Sequence, residues 1–170
     1  AKVKFEDLLR TGAHFGHVTR KWNPNFRHFI LSEKNGVHII NLDSTIQAIE
    51  KAGDFIKKVV KNNGEILFVG TKKQAQDIIQ QEADRCSMFY IVERWLGGTL
   101  TNFATIKKSI KRLKMLEKEG SNLYNNMTKK ETQMLNRERI KLADQHRGIK
   151  DMKRLPDALV VVDAQYEETA

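Results

Sequence analysis

The sequence holds one cysteine, Cys86, in 170 residues. No intramolecular disulfide can form, and a reducing compartment is the natural setting. Proline is nearly missing, at two residues, and glycine is modest at ten, which argues against a long disordered segment. No run of about 18 apolar residues occurs, so no membrane-crossing helix is expected. The opening residues AKVKFED lack the apolar stretch of a secretory signal. What the chain does have is 40% hydrophobic residues, enough for one ordinary domain with its own core.

It also has an excess of one sign of charge: 30 Lys plus Arg against 21 Asp plus Glu, a net of +9. The excess is segregated. Residues 103–154 carry 15 basic and 6 acidic side chains, a net of +9, and the rest of the chain carries 15 of each. A neutral remainder beside a concentrated basic segment points to a polyanion-binding arm rather than to a solvated helix face.

Apolar periodicity sets out the elements. Val37 to Leu42 reads as a strand, with Ser44-x-x-Gln47 as a capping box for a helix carrying Ile46, Ile49, Ile56 and Val59 on one face and ending at Asn62-Asn63-Gly64. Glu65 to Gly70 is the next strand, and Thr71-x-x-Gln74 is expected to cap a helix that turns Ala75, Ile78 and Ile79 inward. Met88 to Val92 and Asp157 to Asp163 complete four strands. Strands alternating with helices imply a parallel sheet, and runs such as Ile66 to Val69 and Leu159 to Val162 fit strands covered on both faces. Ahead of these, Phe5 to Arg10 suggests a short helix, and Phe29 to Val37, turning through Glu33-Lys34-Asn35-Gly36, suggests a small antiparallel hairpin.

The basic segment reads as two helices. Phe103, Ile106, Ile110, Leu113 and Leu116 make a narrow stripe; Gly120-Ser121-Asn122 breaks it. Thr128-x-x-Glu131 caps a second helix, with Leu135, Leu142 and Ile149 at intervals of seven and Gly148 as its stop. Their stripes can be buried against each other, leaving Lys107, Lys108, Lys111, Arg112 and Lys114 to face solvent or a ligand. We therefore expect residues 1–102 and 155–170 to form an α/β globule, with 103–154 inserted as a basic helical hairpin.

Four clusters have chemical potential. His14 and His17 are weak metal candidates, spaced to share one helical turn but without a second ligand pair. Gly70-Thr71-Lys72-Lys73 joins a strand to a helix N-terminus and would suit a phosphate, although it matches neither the Walker pattern nor GxGxxG. Arg94, Thr99, Thr101 and Asn102, around Gly97-Gly98, are good phosphate and ribose partners. Arg20, Lys21, Asn23 and Arg27 share a loop with Trp22 and Phe26, the mixture an RNA-contacting loop needs. No convincing catalytic set emerges: Ser87 lacks a GxSxG context, and Cys86 lacks a nucleophile signature.

Five separated stretches, HFGHVTRKWNPNF from His14, HIINLDST from His38, FVGTKKQA from Phe68, RWLGGTLTNF from Arg94 and LPDALVVVD from Leu155, closely resemble the ribosomal protein S-two family in its bacterial or organellar form. The resemblance implies a Rossmann- or flavodoxin-like three-layer domain with a parallel sheet and an inserted α-helical coiled-coil hairpin. It implies a structural, non-enzymatic role with no cofactor: binding 16S ribosomal RNA near the head–body junction of the small subunit and helping to recruit the messenger-binding ribosomal protein S-one. The setting would be the cytoplasmic ribosome, or an organellar matrix or stroma, with other small-subunit proteins and no membrane as partners. Family members continue beyond the last motif, so a chain ending at Ala170 is expected to lack the final strand and its covering helix. Two other readings stay open on the residues alone: an enzyme using Gly70 to Lys73 as a nucleotide turn, and a protein-interaction module presenting Tyr124 and Met127.

Overall fold

The computed structural model describes residues 3–118 and 127–170. It divides into two compact units, residues 1–61 and 62–170.

In the first unit, α1 (Phe5–Arg10) precedes β1 (Phe15–Val18), two short 3-10 turns (Thr19–Lys21 and Pro24–Phe29), β2 (Ile30–Lys34), β3 (Val37–Ile40) and α2 (Leu42–Lys61). The strands form an antiparallel sheet in the order β1-β3-β2. The expected hairpin is present. Lys34 pairs with Val37 across Asn35 and Gly36, both at positive φ (53° and 74°), the backbone that a two-residue turn between right-twisted strands requires. β3 therefore belongs to this antiparallel sheet and not, as its place in the strand–helix alternation implied, to the parallel one. The turn chemistry outweighs the alternation because a two-residue loop leaves its strands no choice but to pair. The cap of α2 also differs from expectation. Asn41, not Ser44, accepts from the backbone N–H of Asp43 and Ser44 (3.0 and 3.3 Å), starting the helix three residues earlier.

In the second unit, β4 (Ile66–Val69) lies between β5 (Phe89–Ile91) and β6 (Ala158–Val161), parallel to both. Alternation along β4 divides the core. Leu67 and Val69 join Ile91, Ile106, Ile110, Ile149 and Met152 on one face, whereas Phe68 packs with Ile79, Ala83, Tyr90 and Val92 on the other. One face is covered by α3 (Lys73–Arg85), the other by the start of α4 (Phe103–Glu117) and the chain following α5 (Lys129–His146). The result is a mixed α/β unit with a helix on each side of a parallel sheet.

Two glycines allow close approach here. A Cβ on Gly70 would lie 2.2 Å from Ile79 Cδ1, and one on Gly148 would lie 2.1 Å from the Tyr90 carbonyl. Gly148 thus ends the helix region where the chain must pass against β5, and its own carbonyl accepts from Tyr90 N–H at 3.2 Å.

Several burial expectations shift. Ile78 is exposed while Ala83 takes the inward position on α3. The sheet covers only part of β6, an edge strand: Leu159 and Val162 are exposed. Thr71 does not cap α3. Lys72 holds the cap position without a side-chain bond, and the Thr71 amide and hydroxyl both donate to Glu167 Oε1 at 2.6 Å. The Gly120-Ser121-Asn122 break and Tyr124 lie outside the described residues.

Candidate nucleic-acid interface

The apolar stripe of α4 is buried as its spacing predicts: Ile106, Ile110, Leu113 and Leu116 are each at most 6% exposed. Ile106 and Ile110 pack on the sheet, so α4 is anchored to the globule and not only to α5. Burying this face turns Lys107, Lys108, Lys111 and Lys114 outward, all exposed. α5 starts with the expected capping box, in which Thr128 and Glu131 bond reciprocally. Those bonds from the Thr128 amide and hydroxyl hold the Glu131 carboxyl below its ordinary range. The two helices meet through a two-pronged Arg112–Glu138 pair (3.0 Å each) and a 2.8 Å bond between Ser109 Oγ and His146 Nε2. The guanidinium holds the Glu138 carboxyl below its ordinary range, and burial pushes the His146 imidazole down.

These contacts sort the basic residues by what they already hold. Arg112 is bound to Glu138, Lys114 to Asp151, Arg147 to Glu93, Lys150 to Glu117, and Arg154 to Glu65 and Asp157. Lys107 lies over the Phe103 ring at 4.7 Å and keeps its charge outward. Lys108 and Lys111 have no partner among the described residues, and the same holds for Arg94, Arg137 and Lys141.

The turn between β4 and α3 is different. Lys72 is paired with Asp163 and lies 5.6 Å from the Tyr166 ring centroid. The pair holds the Asp163 carboxyl below its ordinary range. Glu167, buried at 5% exposure, takes both Thr71 donors. An internal carboxylate thus occupies the place that the sequence offered to a phosphate. Lys73 remains exposed beside it.

Of the loop residues around Gly97-Gly98, Arg94 and Thr101 are exposed. Thr99 is 1% exposed, with its hydroxyl donating to the Leu96 carbonyl at 2.6 Å. Its hydroxyl holds the loop and presents no free group at the surface. Asn102 is exposed at the N-cap of α4, and its Oδ1 accepts from Thr105 Oγ1 at 3.0 Å.

In the first unit, Arg20, Lys21 and Arg27 are exposed and have no partner among the described residues, while Asn23 Oδ1 caps the 3-10 turn through Asn25 N–H at 3.0 Å. Trp22 packs against the His38 ring at 4.9 Å, and Phe26 and Phe29 are exposed. The helical turn expected to join His14 and His17 is absent. His17 lies within β1 and His14 in the turn just before it, so no helical turn sets them on one face. Among the described residues, no three His, Cys, Asp or Glu side chains gather as a metal site, and no helix is long and apolar enough to cross a membrane.

Sequence reasoning missed Arg137 and Lys141. Their signal was legible: with Ile140, Asp144 and Gln145 they repeat at three- and four-residue spacing on α5, a second face beside the Leu135–Leu142 seam.

An α/β unit with surface cations that no carboxylate neutralises among the described residues has the electrostatics that suit a polyanion. The ribosomal protein S2 family profile matches residues 8–170, and the chain belongs to that family. Small ribosomal subunit protein uS2 of Bifidobacterium adolescentis is 51% identical over 176 residues, spanning 100% of this chain and 63% of the relative. The uS2 protein of Bifidobacterium longum is also 51% identical, over 100% of this chain and 61% of its own length. The chain therefore spans a little over three fifths of the curated relatives it matches. The family description and the names of both relatives are those of ribosomal proteins.

Proposed function

We propose that the protein is a constituent of the small ribosomal subunit that binds 16S ribosomal RNA, with residues 103–154 acting as an inserted coiled-coil hairpin that presents cations to RNA phosphates. The observation that carries this reading is the outer face of α4. Lys107, Lys108 and Lys111 project from a helix whose opposite face is fixed in the core, and none of them is neutralised by a carboxylate among the described residues. Rigid presentation matters because a helix already fixed in the core loses little backbone entropy on contact, leaving side-chain ordering as the main entropic cost. Lys73, Arg94 and Asn102 extend the set within the second unit, and Arg20, Lys21, Asn23 and Arg27 offer a separate loop in the first. Lys72, Arg112 and Lys114 act chiefly within the fold.

Contacts of this kind position RNA through its backbone. Base readout is secondary, because duplex RNA hides its bases in a deep, narrow groove. The resemblance to the family supports a location near the head–body junction and a part in recruiting ribosomal protein S-one. It also supports a home in the cytoplasmic ribosome, with an organellar matrix or stroma as the alternative.

Filter binding of the chain to small-subunit RNA over a salt series tests the electrostatic core of the proposal. Affinity should fall steeply, with each phosphate contact adding about 0.7–0.9 to the log–log slope. A flat salt response would remove it. For the S-one role, small-subunit particles reconstituted with and without this protein should differ in S-one retention, and equal retention would contradict that part.

A further inference from the structure

Between the chain leaving β5 and the second face of α5 lies an open groove of about 450 Å³, lined by Glu93, Arg94, Arg137, Ile140, Lys141, Asp144 and Gln145. Its α5 residues share one stripe, while the neighbouring stripe, through Glu138 and His146, faces α4. Arg94, Arg137 and Lys141 have no partner among the described residues, and Glu93 is already held by Arg147. Three unneutralised cations around one groove call for an anion.

Asp144 makes the groove more specific. Every other described carboxylate in residues 103–154 is engaged: Glu117 with Lys150, Glu131 with Thr128, Glu138 with Arg112 and Asp151 with Lys114. Asp144 alone among them has no partner, although Arg137 and Lys141 share its face of the helix. A lone carboxylate would repel a simple anion. It suits a ligand that alternates negative groups with hydroxyl donors, and an RNA strand does this at every nucleotide: a phosphate, then a ribose 2′-hydroxyl.

We propose that this groove is a ribose-reading RNA site, in which Arg94, Arg137 and Lys141 hold backbone phosphate and Asp144 accepts a hydrogen bond from a 2′-hydroxyl. This rests on the RNA-binding reading above and adds to it a second surface, separate from the outer lysines of α4, with selectivity for RNA over DNA. The exposed Ile140 side chain gives the sugar an apolar floor.

The test is fluorescence anisotropy of the full chain with a labelled single-stranded RNA, its DNA counterpart and a 2′-O-methyl version, at one fixed salt concentration. Circular dichroism establishes that each variant is folded. The Arg137→Ala/Lys141→Ala double variant should bind RNA about ten-fold more weakly. Asp144→Ala should reduce RNA affinity several-fold while leaving DNA affinity unchanged or higher, so that the RNA preference collapses; the 2′-O-methyl strand should behave like DNA. If Asp144→Ala strengthens RNA and DNA equally, the residue only repels and ribose reading is overturned. If the double variant binds like the parent while a Lys107/Lys108/Lys111 triple variant does not, the groove is excluded and the broader RNA-binding reading stands. Absence of RNA binding by the parent chain overturns both.

Discussion

Two cation-bearing regions that look alike in sequence behave in opposite ways once folded. At the β4–α3 turn, Lys72 meets Asp163, and the Thr71 donors meet the buried Glu167 carboxylate. On α4, Lys108 and Lys111 meet nothing among the described residues, although the same helix commits Arg112 and Lys114 to carboxylates across the fold. The first region is neutralised from within the globule; the second is left charged, as the proposed RNA contact requires. A basic residue marks a ligand surface only where the fold withholds its counter-ion, and that depends on residues far away in sequence: Glu167 lies 96 positions from Thr71.

The comparison can be sharpened by substitution. The largest effect is expected where the outer lysines are anchored. Leu113→Ala removes a fully buried side chain from α4 and should cost about 2–5 kcal/mol in urea unfolding. A cost under 1 kcal/mol would mean that α4 is not rigidly held. Next, Glu167→Gln leaves the neutralised turn with a weaker acceptor for two donors and should cost about 1–3 kcal/mol, with RNA affinity unchanged. An RNA affinity that rises in this variant would show the turn to be a masked phosphate site.

A smaller effect comes from pH. His146 is 1% exposed, and burial lowers its pKa from the ordinary 6.5. The unfolded chain therefore takes up the proton before the folded one does. Stability is fully present above about pH 6.5 and is lost as pH falls towards the folded-state value. Urea midpoints should decline on acidification through this window, and His146→Gln, which can still bond Ser109, should flatten the decline. An unchanged profile in that variant would move the pH dependence to other groups.

Much of this was legible from local pattern. The α4 stripe, the Thr128–Glu131 capping box, the Asn35-Gly36 turn and the central strand Ile66–Val69 each depend on residues within one or two turns of each other, and each is where the sequence puts it. The membership of β3 was misjudged because strand–helix alternation carries no register, whereas a tight turn does. The caps of α2 and α3 differ from the pattern because other oxygens compete, one near in sequence and one far. Asn41 precedes Ser44 as an acceptor, and a distant carboxylate captures Thr71. Of the candidate site, the outer lysines were readable, while the engagement of Lys72, Arg112 and Lys114 and the burial of Thr99 follow from tertiary contacts.

The most direct measurement is the salt dependence of binding to small-subunit RNA for the parent chain, a Lys107→Gln/Lys108→Gln/Lys111→Gln variant and Lys72→Gln. Loss of three phosphate contacts should lower the log–log slope of the triple variant by about 2–3, while Lys72→Gln keeps the parental slope. Equal slopes for the parent and the triple variant, or a lowered slope for Lys72→Gln alone, would contradict the account.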